Sequence, residues 1–307
     1  MRAFILDAFD AQPRARDDLS EPRPGPNELV VRVQASSVNP VDAAIAAGLL
    51  KEMVEHTFPV TLGRDFAGVV DETGADVSLY RAGDEVFGYV LHADPEVRDG
   101  SWSELISVPE HNEVAPRPVD VETAQAGAAP LAGVTALLAF DALAPAAGEK
   151  VLVIGATGGV GSFFVQLAAN GGADVIAPAL PEDHDYLHVL GVTEILDRSA
   201  DLESTMRERY PDGVDAVIDL VSFTPQEALL AERTRLASTL GAAGEGPRRF
   251  NVVAQPTPEN LRRVGGLLEN GTLQVHIQRT FPLEDAGKAL EALPAGHTQG
   301  KLALTIP

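Results

Sequence analysis

Residues 150–161 read KVLVIGATGGVG, an apolar strand that runs into a glycine-rich turn and the start of a helix. The pattern A-x-G-x-x-G falls on Ala156, Gly158 and Gly161. Glycines let the backbone turn tightly and leave room for a diphosphate, and the helix that follows offers free N–H groups to the phosphates. Because the strand and the helix supply the context that this fingerprint requires, the stretch predicts a dinucleotide-binding α/β domain.

Two other interpretations of a glycine-rich turn have to be weighed. A nucleotide loop of the Walker type needs a lysine after its last glycine, whereas Ser162 and Phe163 follow Gly161 here. A purely structural turn that binds nothing stays open as the alternative to a dinucleotide site.

The end of the second strand, at residues 175–179, bears on which form of the dinucleotide is bound. An NAD site usually has Asp or Glu there, about 20 residues beyond the glycines, to hold the ribose hydroxyls. The first carboxylate after this strand is Glu182, and neither Arg nor Lys stands at the strand end. Since no acid repels a 2′-phosphate, we expect NADPH in preference to NADH.

The pattern of strands and helices changes along the chain. The first third is rich in short strands and glycine turns, which predicts a partly closed β domain. Strand and helix signals alternate over residues 120–268, which predicts a parallel sheet covered on both faces. A single helical signal covers 121–143. The tail does not continue the alternation and predicts a strand at 273–277, a helix at 283–293 and a strand at 302–306.

The composition excludes several classes of protein. The chain of 307 residues has 23 basic and 45 acidic residues, a net charge of −22 and no cysteine. An acidic surface disfavours nucleic acid and anionic membranes as partners, and the lack of cysteine excludes disulfides and thiolate metal sites. The most apolar stretch, 124–140, is too short to span a bilayer. We therefore expect a soluble, cytoplasmic protein.

Further motifs occur along nearly the whole chain. They are SVNPVD at 37–42, LGRDFAGVV at 62–70, GDEVFG at 83–88, GSWSE at 100–104, APLAGVTA at 129–136, FPLEDA at 281–286 and GK at 300–301. Together with the glycine motif they resemble the medium-chain dehydrogenase/reductase superfamily, and within it the zinc-free quinone oxidoreductases of the zeta-crystallin-like group. The resemblance implies an α/β fold in which a Rossmann domain, 120–268, is inserted into a GroES-like catalytic domain formed by 1–119 and 269–307. It also implies a homodimer.

The resemblance also suggests the chemistry. Zinc alcohol dehydrogenases of the superfamily use Cys, His and acidic ligands, with four further Cys in a structural lobe. This chain has no Cys, reads Gly63-Arg64-Asp65 where those enzymes have Gly-His-Glu, and is short around 91–101. We therefore expect no zinc. Without a metal to stabilise an alkoxide, the hydride acceptor has to delocalise the negative charge that it gains with the hydride. A quinone and an α,β-unsaturated carbonyl can both do so.

The predicted function is thus zinc-independent reduction of a quinone or enone with NADPH. One alternative is a non-catalytic NADP-binding sensor or structural protein. Another is a reductase of a different carbonyl or enoyl substrate. The tyrosine and arginine that family members often carry after the motif aspartate are replaced by Ala44 and Ala46, so no tyrosine hydroxyl is available at that point for the acceptor.

The resemblance assigns Asn39 and Thr135 to the site, whereas Leu220 and Val221 follow from their place at the ligand edge of a parallel sheet. Asn39 matches an asparagine close to nicotinamide and substrate, and Asn39, Arg64 and Asp65 form the predicted catalytic set. An Asn-Pro turn and ordinary buried polar contacts are the structural alternatives for these three. The predicted cofactor-binding residues, for several of which core packing is the alternative, are Asn39, Thr135, Gly155, Ala156, Thr157, Gly158, Gly159, Val160, Gly161, Leu220 and Val221.

Overall fold

The computed structural model describes residues 1–91, 99–224, 226–293 and 298–307. Most of the segment predicted to be a shortened lobe, 91–101, therefore lies outside the described residues. The chain forms two compact units. The first unit contains Met1–Leu131, Pro256–Asn270 and Val275–Pro307, and the second contains Ala132–Gln255 and Gly271–Gln274.

Strands and helices are numbered in chain order over the described ranges. The strands are β1 Ala3–Leu6, β2 Arg14–Arg16, β3 Glu28–Val38, β4 Val60–Thr61, β5 Asp65–Thr73, β6 Glu85–Tyr89, β7 Leu105–Pro109, β8 Val114–Pro116, β9 Lys150–Ile154, β10 Asp174–Ala179, β11 Glu194–Asp197, β12 Ala216–Asp219, β13 Arg235–Ser238, β14 Arg249–Asn251, β15 Ile277–Pro282 and β16 Lys301–Thr305. The α-helices are α1 Pro40–Ala46, α2 Thr123–Ala128, α3 Pro130–Leu143, α4 Gly159–Asn170, α5 His184–Leu190, α6 Leu202–Arg209, α7 Pro258–Glu269 and α8 Ala286–Ala292.

The second unit is built on one parallel sheet with the strand order β11-β10-β9-β12-β13-β14. In order of sequence this is 3-2-1-4-5-6, the order of a doubly wound dinucleotide-binding sheet. The central strands consist of apolar and β-branched residues, such as Val151, Leu152 and Val153, because a sheet covered on both faces buries both sides of each strand. The predicted α/β fold class is confirmed.

The first unit is β-rich. Its larger sheet has the order β15-β16-β3-β5-β6-β8, with β7 also paired to β3, and a smaller sheet has the order β2-β1-β4. The C-terminal strand β16 pairs antiparallel with β3, so that Leu302 lies opposite Val38. Because the tail joins the first unit, the second unit is an insertion in the sequence of the first. The core beneath these strands includes Phe66 and Trp102, which are fully buried.

Two helices of the predicted 120–268 range belong to the first unit. Helix α2 packs tightly on β3, because a Cβ on Gly127 would lie 2.8 Å from the carbonyl oxygen of Ala35. Helix α7 packs against β8. The helical signal over 121–143 is divided into α2 and α3, since Pro130 lacks a backbone N–H and begins a new helix.

The predicted strand at 273–277 is wrong, and β15 begins only at Ile277. The side chain of Gln166 on α4 accepts a hydrogen bond from Gln274 N at 2.8 Å and donates one to Gln274 O at 3.1 Å. Asn170 donates to the carbonyl oxygen of Thr272. The backbone groups of this segment thus form hydrogen bonds with side-chain amides of α4. A strand, which the alternation of apolar residues predicted here, would use them to pair with a neighbouring strand.

Candidate functional site

The glycine-rich turn joins β9 to α4 in the second unit. Gly155 has a φ of 91°, in the left-handed region that favours glycine, and Gly158 is the N-cap of α4. A Cβ on Gly161 would lie 2.1 Å from the carbonyl oxygen of Gly155, so the helix packs on the turn only without a side chain there. A Cβ on Gly158 would have the Gly155 oxygen, at 3.7 Å, as its nearest neighbour. Gly158 therefore borders an open cradle.

The N-terminus of α4, which lies beside this cradle, is favourable for an anion. The helix has 12 residues and no acidic side chain in its first turn. The first N–H groups of a helix lack intrahelical acceptors and lie at the positive end of its dipole. A cradle that a Cβ would fill, beside such a helix end, fits the diphosphate of a dinucleotide.

Leu220 and Val221 follow β12 and lie against the turn. Leu220 N donates to Ile154 O at 3.1 Å, and the Leu220 Cβ and Val221 Cγ2 are 3.2 and 3.0 Å from where a Cβ on Gly155 would be. The structure thus brings the two predicted groups of cofactor residues together where the strand order reverses, the usual ligand position in such a sheet. Val221 is half exposed, so it presents an apolar surface. Thr135 lies nearly buried on α3 of the same unit.

Asp219, which the sequence analysis did not assign to the site, ends β12 at this edge. Its side chain is buried, and its Oδ1 accepts hydrogen bonds from Val221 N at 3.0 Å and from Ser222 N at 2.9 Å. The carboxylate therefore shapes the loop that lies against the glycine turn. Its Oδ2 is buried and receives no hydrogen bond from the described residues. A carboxylate that follows an apolar strand at the ligand edge was the sequence signal for it.

Asn39 and Asp65 meet in the first unit, around Lys301. The Lys301 ammonium lies 2.5 Å from Asn39 Oδ1 and 3.5 Å from Asp65 Oδ2. Asn39 Nδ2 donates to Asp65 Oδ2 at 2.8 Å, and Ser37 Oγ donates to the same oxygen at 2.5 Å. Ser37, Asn39, Asp65 and Lys301, all buried, are called the Asn39 cluster below.

The cluster determines which way the Asn39 amide faces. Its oxygen meets a cation and its nitrogen meets an anion, so the reversed amide would place like charges together. Asn39 is also the N-cap of α1, where its backbone N–H donates to Asp42 Oδ2 at 2.7 Å. Asp42 stands three residues later, which is the capping-box spacing and a local signal that sequence reasoning had available.

Arg64, the other predicted catalytic residue, is directed into the protein interior. Its guanidinium donates to Leu91 O at 3.1 Å and to Thr61 O at 3.2 Å, and its Nε lies 3.9 Å from Asp42 Oδ1. Burial lowers the pKa of Arg64. Burial also raises the pKa of Asp42 to about 7, because desolvation outweighs the attraction of Arg64. The geometry thus gives Arg64 contacts that hold the backbone around it.

The predicted site residues therefore form two groups, one in each unit. The first unit holds Asn39, Arg64 and Asp65, and the second holds Thr135, the glycine turn and the residues after β12. Within the described ranges, no group of three or more His, Asp or Glu side chains is placed to hold a metal ion, and no helix is long and apolar enough to cross a membrane.

Known proteins resemble this chain over its whole length. The family description "Alcohol dehydrogenase GroES-like domain" matches residues 25–119, and "Zinc-binding dehydrogenase" matches 190–304. The chloroplast envelope quinone oxidoreductase homolog of Arabidopsis thaliana is 30% identical, over 92% of this chain and 90% of that protein. The chain belongs to the medium-chain dehydrogenase/reductase superfamily, in its quinone oxidoreductase branch. The resemblance on which the predicted fold and family rested is confirmed.

Two further proteins are similar to this chain. The structure of the quinone oxidoreductase from Coxiella burnetii superposes with a TM-score of 0.87 at 28% identity, and covers 100% of this chain and 99% of its own. The NADPH-dependent alkenal/one oxidoreductase of Arabidopsis thaliana chloroplasts is 29% identical over 91% of this chain and 72% of that protein. Both similarities include the two units described above.

Proposed function

We propose that this NAD(P)H-dependent oxidoreductase reduces a quinone or an α,β-unsaturated carbonyl with NADPH and without zinc. The observation that carries the proposal is the open cradle beside Gly158, at the N-terminus of α4 and at the reversal of strand order. A structural turn that binds nothing would gain no stability from leaving that space open, whereas a diphosphate requires it.

The chain's own residues bind and orient the dinucleotide. The N–H groups around Gly159 and Val160 hold the diphosphate, and Leu220 and Val221 form an apolar wall beside the turn. When bound, the reduced nicotinamide supplies the hydride. The apolar wall excludes water from the cofactor, and the turn and helix position it, which is the main catalytic demand when no strong acid or metal takes part.

Zinc independence rests on the set of donor groups. The chain has no cysteine, and Arg64 stands where the zinc enzymes of the superfamily have histidine. The Asp65 carboxylate accepts a hydrogen bond from Asn39 and lies 3.5 Å from the Lys301 ammonium. A metal ion at Asp65 would have to displace this cation. Elemental analysis of the purified protein tests the assignment, since one zinc per chain, removed together with activity by a chelator, would contradict it.

The acceptor follows from this chemistry. Without a Lewis acid, the acceptor has to carry the negative charge that hydride addition leaves behind, and a phenolate or an enolate delocalises it. The names of the Arabidopsis relatives, a quinone oxidoreductase homolog and an alkenal/one oxidoreductase, support the same two classes of acceptor.

The preference for NADPH rests on the end of β10. This strand ends at Ala179 without a carboxylate that would repel a 2′-phosphate. The name of one relative, an NADPH-dependent oxidoreductase, supports the same choice. Fluorescence titration of the protein with NADPH and NADH measures the preference, and equal dissociation constants would contradict it.

A panel of quinones, enones, ketones and acyl thioesters tests the reaction itself. We expect NADPH to be oxidised with quinones or enones, as followed by the absorbance of the reduced nicotinamide. Turnover confined to ketones or thioesters would support a different reductase. Tight NADPH binding without turnover of any acceptor would support a non-catalytic sensor or structural protein.

We also propose a cytoplasmic homodimer that binds neither nucleic acid nor membranes. The net charge of −22 supports the lack of anionic partners, and the family resemblance supports the dimer. Light scattering gives the mass in solution, and a monomer at micromolar concentration would contradict the dimer.

A further inference from the structure

Arg198 directly follows β11, the strand at one edge of the parallel sheet, next to β10. Ala179, the last residue of β10, lies opposite Asp197, the last residue of β11, so the two strands end at the same level. The backbone N–H of Arg198 donates to Ala179 O at 3.1 Å. The backbone of Arg198 therefore lies one strand spacing, about 5 Å, from the end of β10.

The side chain of Arg198 is exposed, and its guanidinium has neither a hydrogen bond nor an ion pair among the described residues. The other arginines of the second unit are all bound by the protein, either to a carboxylate or to a backbone carbonyl. These contacts are Arg207 to Glu203, Arg209 to Glu194, Arg233 to Asp215, Arg235 to Glu149, Arg249 to Glu227, and Arg248 to the carbonyl oxygen of Glu232. Arg198 thus keeps its planar set of N–H donors, a geometry that matches phosphate oxygens, available for a ligand.

Arg198 also lies at the edge of the sheet where ligands bind. Among the described residues, no other Lys or Arg occurs within five positions after the end of any strand of this sheet. In dinucleotide-binding folds, the end of the strand that follows the glycine turn and its helix is where the adenosine ribose is held. Strand β10 has that position. Arg198 is therefore the basic side chain that this edge offers to an anionic group on the ribose.

Asp197, the acidic neighbour of Arg198, has the opposite effect on an anion. Its Oδ1 accepts hydrogen bonds from Ser199 N at 2.8 Å and from Ser199 Oγ at 2.7 Å. These hydrogen bonds lower the pKa of Asp197, so the carboxylate is ionised at neutral pH. Asp197 repels an anion at this place and Arg198 attracts it. Neutralising one residue or the other should therefore change the affinity for that anion in opposite directions.

We infer that Arg198 is a specificity-determining residue whose guanidinium binds the 2′-phosphate of NADPH. This inference rests on the proposed function, because it requires a dinucleotide at the glycine turn. The 2′-phosphate is attached to the adenosine ribose, and NADH has a neutral hydroxyl in its place. Only the phosphate forms hydrogen bonds to arginine in which both partners are charged. The lack of an acid at the end of β10 permits the phosphate there, and Arg198 from the neighbouring strand attracts it.

Fluorescence titration of the Arg198→Met protein with NADPH and NADH tests the inference. We expect the variant to bind NADPH at least about tenfold more weakly than the wild type, because the charged hydrogen bonds to phosphate are lost. Binding of NADH should stay within about twofold, since the parts that both cofactors share are not affected. Arg198→Lys should give an intermediate result, because lysine keeps the charge but lacks the planar fork.

Arg209→Met is the matched control. It removes the same charge from the other end of β11, where Arg209 forms an ion pair with Glu194 at 2.6 Å. This control should bind NADPH and NADH like the wild type. A loss of NADPH binding as large as that of Arg198→Met would mean that the net charge of the protein, and not a contact, determines the affinity.

Two nucleotides test the same contact without the nicotinamide. Adenosine 2′,5′-bisphosphate and 5′-AMP differ only in the 2′-phosphate. By isothermal titration calorimetry, the wild type should bind the bisphosphate more tightly, and Arg198→Met should remove most of this difference. Asp197→Asn should increase the difference, because it removes the repelling charge while its side-chain oxygen still accepts from Ser199. A decrease in Asp197→Asn would contradict a phosphate at this place.

The titrations separate the contact from the proposed function. If the wild type prefers NADPH and the folded Arg198→Met protein keeps that preference, the contact is overturned and the proposed function stands. Equal losses of NADPH and NADH in the variant would also overturn it, because they would indicate an altered loop. Failure of the wild type to bind either cofactor would overturn the proposed function together with the inference.

Discussion

The Nζ atom of Lys301 lies 2.5 Å from Oδ1 of Asn39, although the two residues are 262 positions apart in the chain. Lys301 begins β16, the strand that returns the C-terminal tail to the first unit. Its side chain is only 4% exposed, and its ammonium is surrounded by oxygen atoms of Val38, Asn39 and Asp65. A cation at this depth persists only because these oxygens replace its lost water.

Replacing Lys301 with Met should therefore destabilise the protein by about 3 kcal/mol, because it leaves the Asp65 carboxylate buried without its cation. Urea unfolding measures this loss. The double variant Lys301→Met/Asp65→Asn removes both charges and should recover at least about 1 kcal/mol relative to the sum of the single variants. Strict additivity of the two losses would show that the charges do not interact.

Lys288→Met is the matched control for this series. Lys288 forms an ion pair with Asp285 at 2.8 Å, but its side chain is 68% exposed. Exposed pairs contribute little, because water screens both charges, so the change in unfolding free energy should be below about 0.5 kcal/mol. A loss as large as that of Lys301→Met would mean that burial does not determine the difference.

Asp42 should make stability depend on pH. Burial raises its pKa from the ordinary value of 3.8 to about 7, although Arg64 opposes the shift. Between these two values the folded state binds more protons than the unfolded state, so the free energy of unfolding falls as the pH rises. The contribution is complete below the lower value and is lost above the upper one, with a slope of at most about 1.4 kcal/mol per pH unit.

Asp42→Asn isolates this contribution. The amide keeps an acceptor for the backbone N–H of Asn39 but cannot ionise, so its stability should not fall through this window on account of residue 42. Urea unfolding of both proteins below, within and above the window gives the difference. Titrating groups that do not interact with Asp42 are common to both proteins and cancel. A difference that stays constant with pH would refute the raised pKa.

Gln166 should stabilise the segment that replaces the predicted strand. Its amide makes two hydrogen bonds to the backbone of Gln274, and Gln166 is 6% exposed. Gln166→Leu leaves both backbone groups without partners and should cost about 2 kcal/mol, and the amide of Gln274 should exchange faster. Gln125→Leu is the control, because Gln125 donates one longer bond, of 3.3 Å, to Val275 O.

The part of the fold that could be predicted from sequence depends on residues that are close together along the chain. The glycine motif places a strand, a turn and a helix within 12 consecutive residues, and each of them confirms the others. The alternation of apolar strands and helices predicted a parallel sheet for the same reason. The Asn39 and Gln166 contacts escaped prediction because their partners are 262 and 108 positions away and no periodic pattern connects them.

The residues of the candidate site likewise divide into those that a local pattern predicts and those that it does not. Gly158 and Gly161 could be assigned because glycine is required at particular backbone positions, which is a local property. Asp219 was not predicted, because its apolar strand reads as core and the hydrogen bonds that its Oδ1 accepts from Val221 N and Ser222 N are not visible in that pattern. Arg64 and Asp65 were singled out by comparison with a zinc motif, but the contacts of Asp65 include Lys301 on the C-terminal strand β16, which no local pattern predicts.

Replacing the two motif glycines with Ala should have different effects, on stability at Gly161 and on NADPH binding at Gly158. A methyl on Gly161 meets the Gly155 oxygen at 2.1 Å, so Gly161→Ala should destabilise the fold by about 1–3 kcal/mol. A methyl on Gly158 has no neighbour closer than 3.7 Å, so Gly158→Ala should keep its stability but bind NADPH at least about tenfold more weakly, because the methyl fills the cradle. Thermal unfolding and fluorescence titration measure the two effects. Gly266→Ala on α7, where a methyl meets nothing within 4 Å, should stabilise the protein by about 0.5–1 kcal/mol and leave binding unchanged. Undiminished NADPH binding by a well-folded Gly158→Ala protein would show that the diphosphate does not occupy the cradle.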